Sequence, residues 1–217
     1  MKILNKFIVC FVALSFCVAA VAQQGIDDPH PQTLAAVRAG NLEKLKQLIE
    51  DRGANLNSRN RTGDSLLLMA IKSGKHDIAN YLLDRGADVN LANTAKGTPL
   101  MAAAYNGDLA ITDRLLARNA NIHTADEQKK TAMVYAAAQG HTDVVARLLK
   151  AGINVNARYA NDLTALMWAA GQGQAKTVKF LLDAGADASL KDNRGKTALE
   201  IADDTGHLDV RKVLSKQ

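Results

Sequence analysis

The feature that most constrains this chain is a sequence period of 33 residues that extends through most of its length. Its clearest marker is a glycine at the same place in successive copies: Gly74, Gly107, Gly140, Gly173 and Gly206. Each glycine follows a run that ends in small side chains and precedes an amphipathic run. Glycine adopts positive φ without steric cost and can therefore end a helix. The period predicts one helix before each glycine, at residues 131–139 in one copy, and a second helix after it.

The second helix of the repeat is predicted from the spacing of its apolar residues. In the copy at residues 124–156, this helix is expected at residues 142–151. Val144 and Leu148 lie four residues apart in it and therefore face the same side. Gly152 follows and is expected to end the helix.

Two further positions of the repeat, each compared as a column across the copies, indicate how the helices begin and how they pack. The first column holds alanine in every copy: Ala70, Ala103, Ala136, Ala169 and Ala202. The second column holds Ser65, Thr98, Thr131, Thr164 and Thr197, whose hydroxyl groups can cap the first helix. Small side chains let neighbouring helices approach closely, and one helix pair of this size cannot bury its own apolar face. The copies must therefore stack, which predicts an all-α solenoid.

Several short stretches of the chain resemble the ankyrin repeat. They are Thr98-Pro99-Leu100, Ala103-Ala104, Gly140-His141, Leu148-Leu149 and Gly86-Ala87-Asp88-Val89-Asn90. The period is also that of the ankyrin family, and the resemblance covers the chain from Thr33 to its C-terminus. It implies an ankyrin-repeat solenoid of stacked helix–turn–helix units with β-turn or hairpin loops. The family has a glycine near the start of each repeat. This chain has it as Gly63 and Gly195, but Lys96, Lys129 and Asp162 replace it in the other copies.

The period also divides the chain into units. Residues 23–32 are polar and contain proline, and we expect them to form a disordered linker. We assign residues 33–57 to an N-terminal capping repeat, residues 58–90, 91–123, 124–156 and 157–189 to ankyrin repeats, and residues 190–217 to a C-terminal capping repeat. Lys44 in the first unit, and Arg211 and Ser215 in the last, replace apolar residues of the other copies. Polar residues suit the outer faces of terminal repeats.

The first 22 residues have the layout of a secretory signal peptide. Lys2 and Lys6 precede an apolar run at residues 7–18, and Ala20-Val21-Ala22 precedes the expected cleavage site after Ala22. The apolar run is shorter than the roughly 20 residues that a membrane span needs. We therefore expect no membrane segment after removal of the signal peptide, and a periplasmic or secreted protein.

Residue types that carry catalysis or metal binding are scattered along the chain rather than grouped. The histidines show no metal-ligand spacing, and both cysteines, Cys10 and Cys17, lie in the predicted signal peptide. The sequence contains neither a glycine-rich phosphate loop nor a nucleophile motif. Its basic residues form short clusters without the interleaved aromatic residues of nucleic-acid-binding surfaces. We expect no enzymatic activity, no cofactor, no metal and no nucleic-acid partner.

The ankyrin resemblance also implies where a partner would bind, because the family uses hairpin tips and first-helix ends on its concave face. The matching positions are Arg61, Asp64, Lys72, Tyr105, Asn106, Glu127, Gln128, Lys130, Gln139, Asn161, Leu163, Gln172, Arg194 and Lys196. Tyr105 is the foremost candidate, because no other copy has an aromatic residue in its column and tyrosine is enriched at binding hot spots. Tyr159 and Leu163 rank next, with packing against the adjacent turn as the alternative.

Two other aromatic residues are assigned to the core. Tyr135 and Trp168 share a column with Met69, Ala102 and Ile201, which is apolar in every copy. The pattern therefore predicts that both rings are buried. On this assignment, Trp168→Ala would lower the stability by roughly 3–5 kcal/mol.

Three functional hypotheses are compatible with these features. The first is an exported, monomeric, non-catalytic module that binds a partner protein on the concave face of the repeats. The second is an accessory to a periplasmic enzyme such as a haem catalase in oxidative-stress defence. It rests only on a resemblance to small exported bacterial ankyrin repeat proteins. The third is a secreted effector that is directed at a host.

Overall fold

The computed structural model of the protein describes residues 29–216. Within these residues the chain forms twelve α-helices, one short 3₁₀-helix and no β-strand. These described residues divide into two compact units, residues 29–55 and 56–216. The predicted signal peptide at residues 1–22 and residues 23–28 of the predicted linker lie outside the described part of the chain.

The first unit contains two helices, α1 (Pro29–Ala39) and α2 (Leu42–Glu50), which pack against each other. Asn41 caps α2, because its side-chain oxygen accepts a hydrogen bond from the backbone amide of Lys44 at 2.9 Å. Residues 29–32 belong to α1, so the expectation of disorder is wrong for this part of the linker. Proline is tolerated in a first helical turn, where its missing N–H leaves no helical hydrogen bond unmade.

The second unit contains five helix pairs. Their first helices are α3 (Leu66–Lys72), α5 (Pro99–Asn106), α7 (Ala132–Gln139), α9 (Ala165–Gly171) and α11 (Ala198–Asp204). Their second helices are α4 (His76–Asp84), α6 (Leu109–Leu116), α8 (Thr142–Lys150), α10 (Ala175–Asp183) and α12 (Leu208–Leu214). A 3₁₀-helix, Ala160–Asp162, precedes α9. The two helices predicted for each copy are therefore confirmed.

The helices of the second unit form two layers. Each first helix packs on the first helix of the next pair, from α3 to α11, and the second helices follow the same order from α4 to α12. The side chains of Ala136, Val145 and Leu148 are completely buried in this arrangement. The predicted all-α solenoid of stacked helix pairs is confirmed, because neighbouring copies share their apolar surfaces.

Hydroxyl groups cap most of the first helices, as the threonine column predicts. The capping residues are Ser65, Thr98, Thr164 and Thr197. Each side-chain oxygen accepts a hydrogen bond from the backbone amide three residues later. Thr131 is the exception, since its hydroxyl is buried and does not cap α7. Helices α5 and α7 end at Gly107 and Gly140, whose φ angles are 72° and 78°.

One turn geometry is kept in the loops where lysine or aspartate replaces the early glycine. Gly63 has a φ of 77°, and Lys96 and Lys129 have a φ of 61° at the same place in later copies. The carboxylate of Asp126 supports the turn at Lys129, because it accepts a hydrogen bond from the backbone amide of Lys130 at 2.9 Å. Such local side-chain bonds offset the steric cost of positive φ.

The layered core can be tested with a matched pair of leucines. Leu148 is completely buried, whereas Leu208 at the start of α12 is 64% exposed. Leu148→Ala should lower the free energy of unfolding by about 2–5 kcal/mol, because it removes apolar contacts and leaves a cavity. Leu208→Ala should change it by less than about 0.5 kcal/mol. Urea unfolding followed by circular dichroism measures both, and equal losses would contradict the core assignment.

Candidate functional site

The loops before the first helices of the second unit, with the C-terminal ends of those helices, form a surface that we call the tip face. The tips are residues 61–64, 94–97, 127–130, 160–163 and 193–196. The backbone amide of Thr94 donates to the carbonyl oxygen of Thr62 at 3.1 Å, and that of Glu127 donates to Ala95 at 3.2 Å. These hydrogen bonds join neighbouring tips, so the first part of this face is ordered before a partner binds.

An apolar cleft of about 330 Å³ lies on the tip face. It is lined by Leu68, Lys72, Asn93, Gly97, Thr98, Met101, Ala102, Tyr105, Asn106 and Tyr135. Leu68 and Met101 contribute buried apolar surface to it. Tyr105 is 52% exposed at the same place, so a large side chain stands beside a depression with an apolar lining.

Tyr105 and Tyr135, from successive copies, line this cleft, and Lys130 connects Tyr135 to Trp168 of the next copy. We call Tyr105, Tyr135 and Trp168 the aromatic cluster. The rings of Tyr105 and Tyr135 meet edge to face, with centroids 6.0 Å apart and planes inclined by 78°. The ammonium nitrogen of Lys130 lies 5.8 Å from the ring centroid of Tyr135 and 5.4 Å from that of Trp168. Lys130 therefore bridges two of the rings by cation–π attraction.

The hydroxyl of Tyr135 is anchored to the loop of its own copy, because it donates a hydrogen bond to the carboxylate of Asp126, just before the tip 127–130. Burial raises the pKa of Tyr135, and the hydrogen bond to Asp126 and its negative charge raise it further. The phenol therefore stays protonated at neutral pH and continues to donate. This bond holds the ring in place beside the cleft.

The positions of Tyr135 and Trp168 correct the expectation from the sequence. Both side chains are half-buried on the tip face, so their assignment to the core was wrong. Ala102, from the same column, is also half-buried and lies three residues before Tyr105 on α5. Residues three apart on a helix share a face. The three-residue spacing between the column of Ala102, Tyr135 and Trp168 and the column of Tyr105 was therefore a signal in the sequence that could have placed all three aromatic residues on one surface.

Asp64 was expected to contact a partner, but its side chain is buried. Its carboxylate accepts hydrogen bonds from Asn93 at 2.7 Å, from Lys72 at 3.0 Å and from Thr62 at 3.2 Å. Burial raises the pKa of Asp64, but the hydrogen bonds and the charge of Lys72 outweigh it and leave the pKa below its usual value. Asp64 therefore joins two tips and positions Lys72 instead of meeting a partner.

Most of the other predicted contact residues reach the surface. Arg61, Lys72, Tyr105, Asn106, Glu127, Gln128, Gln139, Asn161, Gln172 and Arg194 are exposed, and Lys130, Leu163 and Lys196 are half-buried. The structure brings Lys72, Tyr105 and Asn106 together around the cleft. Arg194 and Lys196 lie in the last copy and form ion pairs within the chain.

Tyr159, which ranked after Tyr105 among the candidates, does not offer its polar group to the surface. Its hydroxyl is buried, and burial raises the pKa of Tyr159 to about 12. Most other copies have asparagine or aspartate at this place, and Asp192 there accepts a hydrogen bond from the backbone amide of Lys196 at 2.9 Å. A phenol cannot replace those turn contacts, so Tyr159 is a packing residue.

His141 has a structural role in the contact between copies. Its Nε2 lies 2.9 Å from the carbonyl oxygen of Tyr105. Its ring also lies against Gly107, where a Cβ atom would come within 2.4 Å of Nδ1. This close approach is a second reason for glycine at that place. Within residues 29–216, no group of three or more His, Cys, Asp or Glu residues could hold a metal ion.

Comparison with known families identifies the class of the protein. A family model described as ankyrin repeats (3 copies) matches residues 19–93, 86–159 and 155–217. These matches extend over most of the chain, which therefore belongs to the ankyrin repeat family. The search of curated proteins found no match. Ankyrin repeats are typically non-catalytic modules that bind other proteins, and the repeats here indicate a protein–protein interaction module.

The described helices were also compared with what a membrane span requires. None of the helices between residues 29 and 216 is long and apolar enough to cross a bilayer. The longest of them, α1, has 11 residues, whereas a span needs roughly 20 apolar residues.

The contacts of Asp64 predict a pH dependence of stability. Because the folded-state pKa of Asp64 is lowered, its stabilising contribution is present above the usual pKa of aspartate and is lost as the pH falls through the lowered value. Asp64→Asn should therefore reduce the free energy of unfolding at pH 7 and flatten its decline as the pH falls below about 4, the usual pKa of aspartate. Glu127→Gln, at an exposed tip position, is the control. Unfolding curves measured across this range would contradict the assignment if Asp64→Asn and wild type declined in parallel.

Proposed function

We propose that this chain is an exported, non-catalytic module that binds a partner protein on its tip face. The observation that carries the proposal is the exposure of Tyr105 beside an apolar cleft. Among residues 29–216, the other exposed large apolar side chains are Leu109 and Leu208, and neither lines this cleft. Covering Tyr105 would remove apolar surface from water, and tyrosine is enriched among the residues that dominate binding energy.

The aromatic cluster enlarges the surface around Tyr105. Tyr135 and Trp168 are half-buried, so each keeps part of its ring exposed to a partner. The cluster spans three successive copies, and the exposed tips beside it add polar positions. A partner of ordinary size would cover about 800 Å² on this side of the interface, with the aromatic residues near its centre and polar tips at its rim.

The order of the tip face lowers the entropic cost of binding. Tips 61–64, 94–97 and 127–130 are joined by backbone hydrogen bonds, and Asp64 and Asp126 hold side chains on the cleft in place. Little conformational freedom therefore remains to be lost when a partner docks, which leaves more of the contact energy for affinity.

Export is part of the proposal because of the leader-like sequence at residues 1–22, with expected cleavage after Ala22. The chain after residue 22 has no cysteine, so its folding would not depend on the redox state of the compartment. We therefore place the protein in the periplasm or outside the cell. Lys44 and Arg211 are exposed in the terminal copies, which favours a monomer over end-to-end association.

The binding surface can be tested by combining Tyr105→Ala with Lys130→Glu. This double variant removes the exposed ring and reverses the charge over the aromatic cluster, so it should lose the partner that wild type retains. The matched control combines Leu208→Ala with Lys150→Glu, which makes the same types of change away from the tip face. Affinity purification from the native compartment with mass spectrometry, together with melting curves of all variants, gives the result.

Two outcomes would contradict this proposal. Equal retention of the same partner by wild type and by the tip-face variant, at equal melting temperature, would exclude the tip face. Cell fractionation with mass measurement of the isolated chain tests export separately. It should find a form that begins at Gln23 outside the cytoplasm, and a full-length cytoplasmic chain would exclude export.

A further inference from the structure

We propose that the partner segment that occupies the cleft is an acidic peptide. Its sequence has one aliphatic residue between acidic residues, and the aliphatic side chain enters the cleft. This inference rests on the proposed function and names the chemistry of the partner. It follows from two properties of the same part of the tip face, which are an excess of uncompensated positive charge and an apolar depression.

Positive charge lies on the tips of the three copies that line the cleft, at residues 61–64, 94–97 and 127–130. The cationic side chains there are Arg61, Lys96 and Lys130, and none of them forms an ion pair within residues 29–216, whereas Lys129 lines a separate depression with His123 and Tyr159. The acidic residues of the same tips do not balance them. Asp64 in the first tip and Asp126 just before the third are buried and engaged by Lys72 and Tyr135, which leaves Glu127 as the exposed carboxylate of these tips.

Lys130 is the most informative of these cations. Its ammonium group lies over the rings of Tyr135 and Trp168, and no carboxylate of the described chain pairs with it. Its side chain is half-buried against apolar surface, where the effective dielectric constant is lower than in water. A carboxylate brought there by a partner would therefore interact more strongly than one at an isolated surface lysine.

The cleft itself favours an apolar side chain. Leu68 and Met101 supply its buried apolar lining, and Tyr105 stands at its edge. Its amide side chains are already engaged, since Asn93 donates to Asp64 at 2.7 Å and Asn106 donates to the carbonyl oxygen of Ile71 at 2.8 Å. The cleft thus offers few unmatched polar groups, and a leucine or isoleucine side chain would fill it without leaving buried donors unpaired.

A nucleic acid is the main competing occupant of a surface with lysines and aromatic rings. Single-stranded nucleic acids bind by stacking bases on aromatic faces. The ammonium group of Lys130 lies over the faces of Tyr135 and Trp168, where bases would have to stack. Tyr105 meets Tyr135 edge to face, which also does not form a stacking platform. The arrangement favours the acidic peptide.

Three fluorescein-labelled peptides of equal length test the proposed chemistry. The first has a central leucine between runs of glutamate, the second has lysine in place of every glutamate, and the third has serine in place of the leucine. Fluorescence anisotropy with the full mature chain should show the tightest binding for the first peptide. Its affinity should fall as the salt concentration rises, because exposed charges are screened. Trp168 is the only tryptophan of the chain, so a change in its emission reports binding at the cluster.

Charge reversal at two lysines localises the site. Lys130→Glu should weaken binding of the first peptide by about tenfold or more, since it replaces an attraction by a repulsion beside the cleft. Lys150→Glu makes the same change at the end of α8 and should leave the affinity unchanged. Circular dichroism and melting curves of both variants confirm that they are folded.

The possible results separate this inference from the proposed function. Equal or tighter binding of the lysine peptide, of the serine peptide or of a single-stranded oligonucleotide would overturn the inference. So would equal losses for Lys130→Glu and Lys150→Glu. If no peptide binds but the tip-face double variant still loses the native partner, the inference is wrong and the proposed function stands. If that variant keeps the native partner, the proposed function fails as well.

Discussion

The structure depends on one kind of contact, the packing of first helices from neighbouring copies along the alanine column. Ala103, Ala136 and Ala169 are completely buried there, which allows the helices of adjacent copies to approach closely. Helices α3 and α4 have only 7 and 9 residues, and helices shorter than about 12–15 residues are marginal in water. Each copy is therefore folded by its neighbours, and stability belongs to the stack rather than to any single unit.

This division between interior and surface leaves the tip face free for the function we propose. Because the two helix layers supply the core, the tips need only keep their turn geometry, which side chains such as Asp126 maintain. Positions outside that framework are then free to vary between copies. Tyr105 is such a position and is exposed, and Lys130 shows how a tip side chain joins the aromatic cluster by crossing to Trp168 in the next copy. The proposed partner would use both, one as an apolar contact and one as a charge.

The fold was predictable because its rules are local and repeated, whereas the site was only partly predictable because it depends on contacts between copies. Gly140 ends its helix as expected for local reasons alone. Trp168 was wrongly assigned to the core, because an apolar column does not reveal whether it faces the interior or a binding surface. Asp64 was wrongly assigned to the surface, because its partner Asn93 stands 29 residues away, just before the next tip. Tyr105 was expected at the surface because nothing in the repeat required an aromatic residue there, and its side chain is exposed.

Shared interfaces fold the copies and leave the tip face exposed. Circular dichroism of the isolated copy 124–156, compared with the intact chain, measures this dependence. The isolated peptide should have little helix and no cooperative melting, whereas the intact chain should be helical and unfold cooperatively. If the peptide had the helical content per residue of the intact chain and a sharp melting transition of its own, single copies would fold without their neighbours and the stack would not be the source of stability.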